Sequence, residues 1–299
     1  MDYGHPLQFG ALITPASDDP QAPVERARLA ERLGFDLAVV TDQPDGPQLL
    51  DAWTVLSWVA GQTERICLSA PVQVLSQPVA VLARAAASLD LLVGGRIALA
   101  LAAEAAAEGD TTGALGEAID IIRGIWDAGN PARLRVDGTY YQVDGARRGP
   151  APAHDIGIWV GALKPRMLRL IGAKADGWLP SLSYISSLSD VADANAIIDD
   201  AAHQAGRQPA AVRRLLNIGG RFGAASDQLL SGPPGQWAEQ LAALTLEYGF
   251  TGYIVAADDP ATISRFGQEV APAVRELVAP ERAEAGAAGP GDAPAGGDA

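Results

Sequence analysis

From Ile156 to Ser181 the chain reads IGIWVGALKPRMLRLIGAKADGWLPS. A hydrophobic strand runs into Gly161-Ala162-Leu163-Lys164-Pro165-Arg166, and a helix begins near Pro165. Proline favours the first helical position because its φ is already fixed there. The amides of Ala162–Lys164 then have no intrahelical acceptor and sit at the positive end of the helix. With Lys164 and Arg166 beside them, these groups have the chemistry of a phosphate seat. The same residues also read as a surface helix start with two solvated cations. Two carboxylates follow other strands: Asp42 in Thr41-Asp42-Gln43 and Glu104 in Ala102-Ala103-Glu104. Either could exchange a proton or accept hydrogen bonds from a polar ring. The plainer readings are that Asp42 caps a turn before Pro44 and that Glu104 opens a solvated loop. Gln43 can hydrogen-bond a substrate but cannot trade a proton.

Other chemistries fit the sequence poorly. His5, His154 and His203 fall in the N-terminal segment, a long loop and a helix, with no His-x-His pair, so a catalytic metal is not expected. There is no Gly-x-Ser-x-Gly elbow and no histidine placed to serve a serine. Strand ends that are small, apolar and amide-rich suit a cofactor that brings its own reactivity.

The elements that position these residues alternate along the 299-residue chain. Strands are expected at Leu7–Ile13, Phe35–Val40, Ile66–Ala70, Arg96–Leu101, Ile156–Val160, Gly177–Pro180, Leu215–Phe222 and Gly252–Ala256. Helices lie between and after them: Ala22–Leu33, Asp51–Ala60, Val79–Leu92, Leu115–Ala128, Pro165–Ala173, Ser187–Ala205, Gln236–Tyr248 and Pro260–Val278. Eight such units predict an α/β fold, a (β/α)₈ TIM barrel with active groups at the strand C-termini. An open doubly wound sheet is the runner-up, but Thr14-Pro15-Ala16-Ser17 replaces the glycine-rich fingerprint it needs after the first strand. Between the fourth helix and fifth strand, Leu134–Val143 reads as a small β-hairpin around Asp137-Gly138. The barrel is expected to occupy residues 1–279. The tail 280–299, PERAEAGAAGPGDAPAGGDA, lacks aromatic and β-branched residues and is expected to be disordered.

Hydrophobic residues make up 48% of the chain, ample for a large core. A formal charge of −14 argues against nucleic acid and anionic membranes as partners, though not against a locally held anion. The single cysteine, Cys67, lies in a strand-like run and is expected to be a buried small hydrophobe. No apolar run approaches a membrane span and the N-terminus has no signal-peptide pattern, so a cytoplasmic location is expected.

Longer stretches carry a resemblance. LAERLGFDLAVVTDQ, LDAWTVLSWVAGQTERICLSAPV, AVLARAAASLDLLVGGRIALALA, IWVGALKPRMLRLIGAKADGWLPS and VAPAVRELVAP together resemble the luciferase-like flavin- and deazaflavin-dependent oxidoreductases, over roughly residues 7–278. The resemblance implies a (β/α)₈ barrel, a homodimer, and FMN or the deazaflavin F420 bound across the strand ends. The stretch from Gly161 to Ser181 looks most like the F420 branch, in which Gly161, Ala162, Leu163, Lys164, Pro165 and Arg166 would hold the coenzyme phosphate. Ser69, Ala70 and Val72 match the strand-three bulge under the ring, with a non-proline cis peptide at Ser69–Ala70. Asp42 matches the acid that meets the ring's polar edge, and Ala103 falls on the strand-four side of the ring.

Three departures from the family pattern stand out. Gln43 replaces a common histidine. Leu99-Ala100-Leu101-Ala102-Ala103-Glu104 replaces a glycine-rich strand four, so added methyls could crowd the ring or Glu104 could supply an acid. The segment after Glu104 is short, which opens the cleft for a bulky or peptide-like substrate. The expected function is hydride transfer between C5 of F420 and an organic substrate, with Glu104, Tyr184 or water as proton donor. The alternatives are an FMN-dependent monooxygenase and a non-catalytic partner subunit.

Overall fold

The computed structural model describes residues 2–41, 48–76, 78–102 and 110–287. In chain order the first half of the barrel is β1 (Gln8–Ile13), α1 (Ala22–Arg32), β2 (Leu37–Val40), α2 (Ala52–Ala60), β3 (Cys67–Gln73), α3 (Val79–Leu92), β4 (Ile97–Ala102) and α4 (Thr111–Trp126). A two-stranded antiparallel hairpin follows, β5 (Leu134–Asp137) with β6 (Gln142–Ala146). The second half is β7 (Ile158–Val160), α5 (Pro165–Lys174), β8 (Gly177–Trp178), α6 (Leu188–Gln204) and β9 (Arg213–Ile218). A short parallel pair comes next, β10 (Arg221–Phe222) with β11 (Ser231–Gly232). The chain ends in α7 (Pro234–Tyr248), β12 (Gly252–Ala256), α8 (Pro260–Arg265), a π-helical turn at Phe266–Val270, and α9 (Ala271–Ala287). Eight parallel strands close in the order β1-β12-β9-β8-β7-β4-β3-β2, so the chain folds as a TIM barrel with the hairpin inserted between α4 and β7.

Several boundaries differ from expectation, among them that β3 runs on to Gln73 and α4 begins at Thr111, and two differences change the architecture. The strand expected to reach Phe222 stops at Ile218, because Gly219-Gly220 lets the chain leave the barrel and pair Arg221–Phe222 with Ser231–Gly232. The last helix continues through Pro280 to Ala287, beyond the expected start of the tail. There the Arg282 guanidinium donates to both carboxylate oxygens of Asp2, at 2.6 and 2.9 Å, and to the carbonyl of His5.

Strand alternation sorts the apolar residues into two cores. Ala38, Val40, Leu68, Ala70, Val72, Leu99, Leu101, Ile158 and Val160 face the helices. Leu37, Val39, Ala98, Trp159, Leu179, Leu215 and Ile254 fill the barrel. The pairing registers step by about one residue per strand, so inward side chains stack in layers of four from alternate strands. From the bottom these layers are Leu37, Ala98, Gly177, Gly252; then Gly10, Ser69, Trp159, Leu215; then Val39, Ala100, Leu179, Ile254. Above them Leu12, Pro71, Gly161 and Asn217 floor the mouth, and Thr41, Ala102, Ser181 and Ala256 form its rim.

Trp159 decides how the lower layers are filled. A Cβ on Gly177 would stand 2.5 Å from Trp159 Cδ1, and one on Gly252 would stand 2.8 Å from Leu215 Cδ2. The two glycines thus leave room for the indole and the leucine. Gly177→Ala is expected to overpack the barrel and destabilise it by about 1–3 kcal/mol. Urea denaturation checks this: an unchanged midpoint would show that the interior has slack.

Candidate functional site

The two ends of the barrel are built differently. At the N-terminal end, charged side chains tie down the helix-to-strand connections. Asp90, fully buried, accepts from the amides of Ile97, Ala153 and His154 and contacts His154 Nδ1 at 3.0 Å. Asp176 accepts from the Ile158 amide and pairs with Arg123 and Arg207. Arg214, also fully buried, donates to Asn195, Asp199 and Tyr3 and stacks over the Tyr3 ring at 4.3 Å. A cavity of about 960 Å³, lined by Arg123, Trp126, His154 and Asp176 among others, opens at this end. In this fold that end carries stability and the opposite end carries chemistry.

At the C-terminal end, polar groups lack partners. The side-chain oxygens Ser69 Oγ and Asn217 Oδ1 are buried with no hydrogen-bond partner. Both point into the barrel, Asn217 in the same layer as Gly161 and Ser69 two layers below. Buried polar atoms are nearly always paired in folded proteins, so an orphan in a mouth marks a place where a ligand completes the bonding.

The loop expected to seat a phosphate joins β7 to α5. α5 starts at Pro165 with Lys164 as N-cap, and no side chain caps it. The amides of Ala162, Leu163 and Lys164 donate to no acceptor among the described residues. Beneath them the buried Trp178 donates Nε1–H to the Ala162 carbonyl at 2.7 Å, with its ring stacked on Phe250. Because a trans peptide sets C=O and N–H on opposite sides, this bond turns the Leu163 N–H away from the indole. Lys164 is exposed, with no ion-pair partner among the described residues. Arg166 is not free: it pairs with Asp110, the N-cap of α4.

Asp110 is anchored in turn. It accepts from the Gly113 amide at 3.1 Å, and that bond, with those of Tyr140 and Arg166, holds its carboxyl below the usual range. Tyr140 belongs to the hairpin turn, whose amides at Thr139, Tyr140 and Tyr141 all donate to Glu117 on α4. Tyr141 OH also reaches the Val74 carbonyl beyond β3 at 3.0 Å.

Asp42, Gln43, Ala103 and Glu104 lie outside the described residues. Ser69 faces the barrel, but Ala70 and Val72 point to the helices, because neighbouring strand residues face opposite ways. The inward residues of β3 are Cys67, Ser69, Pro71 and Gln73. The peptide bond between Ser69 and Ala70 is trans, and β3 pairs without a break along β4 from Leu68↔Ile97 to Gln73↔Ala102. Ala100 belongs to the upper core layer and only Ala102 reaches the rim, so the strand-four methyls narrow the mouth at one point. Tyr184, 76% exposed, stands outside the mouth and lines a cavity of about 270 Å³ with Leu163 and Pro165. Sequence reasoning missed Asn217; its signal was a single amide at an inward position in the buried run Leu215-Leu216-Asn217-Ile218.

Glu117 yields a pH prediction. Burial pushes its pKa up, and the three amide donors together outweigh that and leave it lowered. A lowered folded pKa means the carboxylate stabilises the fold above the unfolded value, and that contribution is lost as pH falls through the folded value. Glu117→Gln is therefore expected to lower Tm at neutral pH, with the gap to wild type closing in acid below about pH 4. A gap that stays constant from pH 7 to pH 3 would contradict the assignment.

Comparison with known proteins agrees with this architecture. The family model described as luciferase-like monooxygenase matches residues 1–228. An F420-dependent glucose-6-phosphate dehydrogenase of Microbacterium testaceum is 29% identical over 231 residues, which cover 71% of this chain and 68% of that protein. A 5,10-methylenetetrahydromethanopterin reductase of Methanolobus tindarius is 31% identical over 213 residues, covering 68% and 62%. Among solved structures, an F420-dependent secondary alcohol dehydrogenase in complex with an F420-acetone adduct superposes with a TM-score of 0.78 at 17% identity, covering 91% of this chain and 100% of that one. At that identity the superposition speaks for the fold alone. The family match spans most of the chain and its eight strands close as such a barrel must: this protein belongs to the luciferase-like monooxygenase family.

Proposed function

We propose that this chain is an F420-dependent oxidoreductase that moves a hydride between the coenzyme and an organic substrate seated over the barrel mouth. The observation that carries the reading is the unpartnered run of amides at 162–164, fronted by Lys164 and set beside the orphaned Asn217 oxygen. Relatives named as F420-dependent dehydrogenases and as a reductase of a pterin substrate support the choice of coenzyme. When bound, the deazaflavin supplies the hydride chemistry at its C5 carbon. The protein's own residues do the rest. The 162–164 amides, Lys164 and Arg166 hold the phosphate, and Trp178 keeps that loop in shape. Asn217 offers an amide to the ring or substrate from the floor. Leu12, Pro71 and Val39 exclude water from below. Asp42, Gln43 and Glu104 remain the proposed polar partners of ring and substrate, with Ala103 beside them.

The substrate is taken to be small or peptide-like, and the particle to be a cytoplasmic homodimer; light scattering on the purified protein checks the assembly. Among the described residues, no helix is long and apolar enough to cross a membrane. A second reading, an FMN-dependent monooxygenase, is favoured by the name of the matching family.

Fluorescence titration of purified protein with F420 tests the first reading. Quenching should saturate, and Lys164→Ala should weaken binding about five- to tenfold, the loss of a charge-assisted bond. Saturable FMN binding with oxygen-dependent turnover, and no response to F420, would replace it with the second.

A further inference from the structure

The seat for the phosphate carries its own counter-charge. Lys164 and Arg166 bring two positive charges, and Asp110, paired with Arg166, removes one, so the seat presents one net positive charge. Asp110 cannot easily turn away: it caps α4 through the Gly113 amide and takes a hydrogen bond from Tyr140. Tyr140 is itself set by the hairpin turn docked on Glu117. The carboxylate is thus part of the frame around the seat, with 27% of its side chain exposed against 67% for Arg166. That a ligand completes this mouth is marked independently by the unpartnered Asn217 Oδ1 in the layer of Gly161.

We propose that Asp110 is a specificity-determining residue, tuning the seat to a phosphodiester with one negative charge and against a phosphomonoester with nearly two. The inference rests on the F420 reading and says how that coenzyme is told from FMN. The F420 phosphate is a diester and carries one charge; the FMN phosphate is a monoester and carries about 1.5–2 at neutral pH. A diester balances a seat of net charge one. A monoester leaves negative charge facing a fixed carboxylate, a repulsion that partial exposure weakens but does not abolish. The hairpin insertion gains a purpose on this view, since Tyr140 is one of the three groups that hold the carboxylate in place.

The test is a pair of fluorescence titrations, F420 and FMN, on wild type and on Asp110→Asn, with phosphate-free riboflavin as a control. Asparagine caps helices as well as aspartate, so the fold is expected to survive. The seat of the variant carries net charge two. Its FMN affinity should rise about three- to tenfold and its F420 affinity change less than about twofold, with riboflavin unmoved. Arg166→Gln, which brings the net charge to zero, should shift the preference the other way and disfavour FMN more than F420. If wild type and variants all bind F420 and the ratio of the two affinities stays fixed, the proposal is wrong. If the wild type binds no F420, the functional reading fails first and the inference falls with it.

Discussion

The placement of one indole organises this molecule. Trp159 lies inside the barrel, where Gly177 leaves it room: a Cβ there would stand 2.5 Å from the indole, too close at the density of a protein interior. Once Trp159 points inward, strand alternation leaves no choice for its neighbours. Val160 turns to the helices, and Gly161 comes inward two residues later, at the mouth. Ala162 is then placed for its carbonyl to meet Trp178 from the adjacent strand, and the next peptides turn their amides outward. The loop proposed to seat the phosphate is where it is because the core beneath it fixes its register.

That core also explains why the two ends differ. At the N-terminal end each connection enters a strand beside a buried charge, and each charge is spent on backbone groups. Arg96 alone donates to the carbonyls of Ala60, Thr63, Ile66 and Val93. Glu31 accepts from the amides of 64, 65 and 66. Such saturation fixes strand starts and leaves nothing for a ligand. At the other end the amides at 162–164 and the Asn217 side-chain oxygen have no partner among the described residues. A buried group without a partner costs roughly 1–3 kcal/mol.

The sequence made the barrel legible because βα alternation is a long-range pattern repeated eight times, robust to errors at any one boundary. The free amides of 162–164 were legible for a local reason: a proline at a helix start leaves the preceding amides without intrahelical acceptors. What could not be read depended on parity or on distance. In Cys67-Leu68-Ser69-Ala70-Pro71-Val72-Gln73 the outward Leu68, Ala70 and Val72 are apolar, while the inward face mixes Cys67 and Pro71 with Ser69 and Gln73. A strand buried on both sides lacks the clean alternation of a half-solvated one, so the face that holds the polar residues reads from sequence as the outer one. Asn217 hid in the same way. The Arg166–Asp110 pair spans 56 residues and depends on how α4 and α5 lie side by side. No local signal announces it, and a reader of the sequence counts two free cations where the fold leaves one.

The last point bears on how an acidic protein holds an anionic coenzyme at all. With a formal charge of −14, the chain's long-range field repels anions, so attraction has to come from groups in contact. Fixed amides are suited to this, because their dipoles carry no net charge and need no counter-ion. A cluster of lysines would be the simpler solution, but it would bind any phosphate and would discriminate little between one charge and two. Building the seat from backbone amides, one solvated lysine and one arginine already matched by an aspartate keeps the local charge low. If the proposed seat holds the phosphate, recognition falls to geometry, and the count of charges on the ligand becomes something the site would measure.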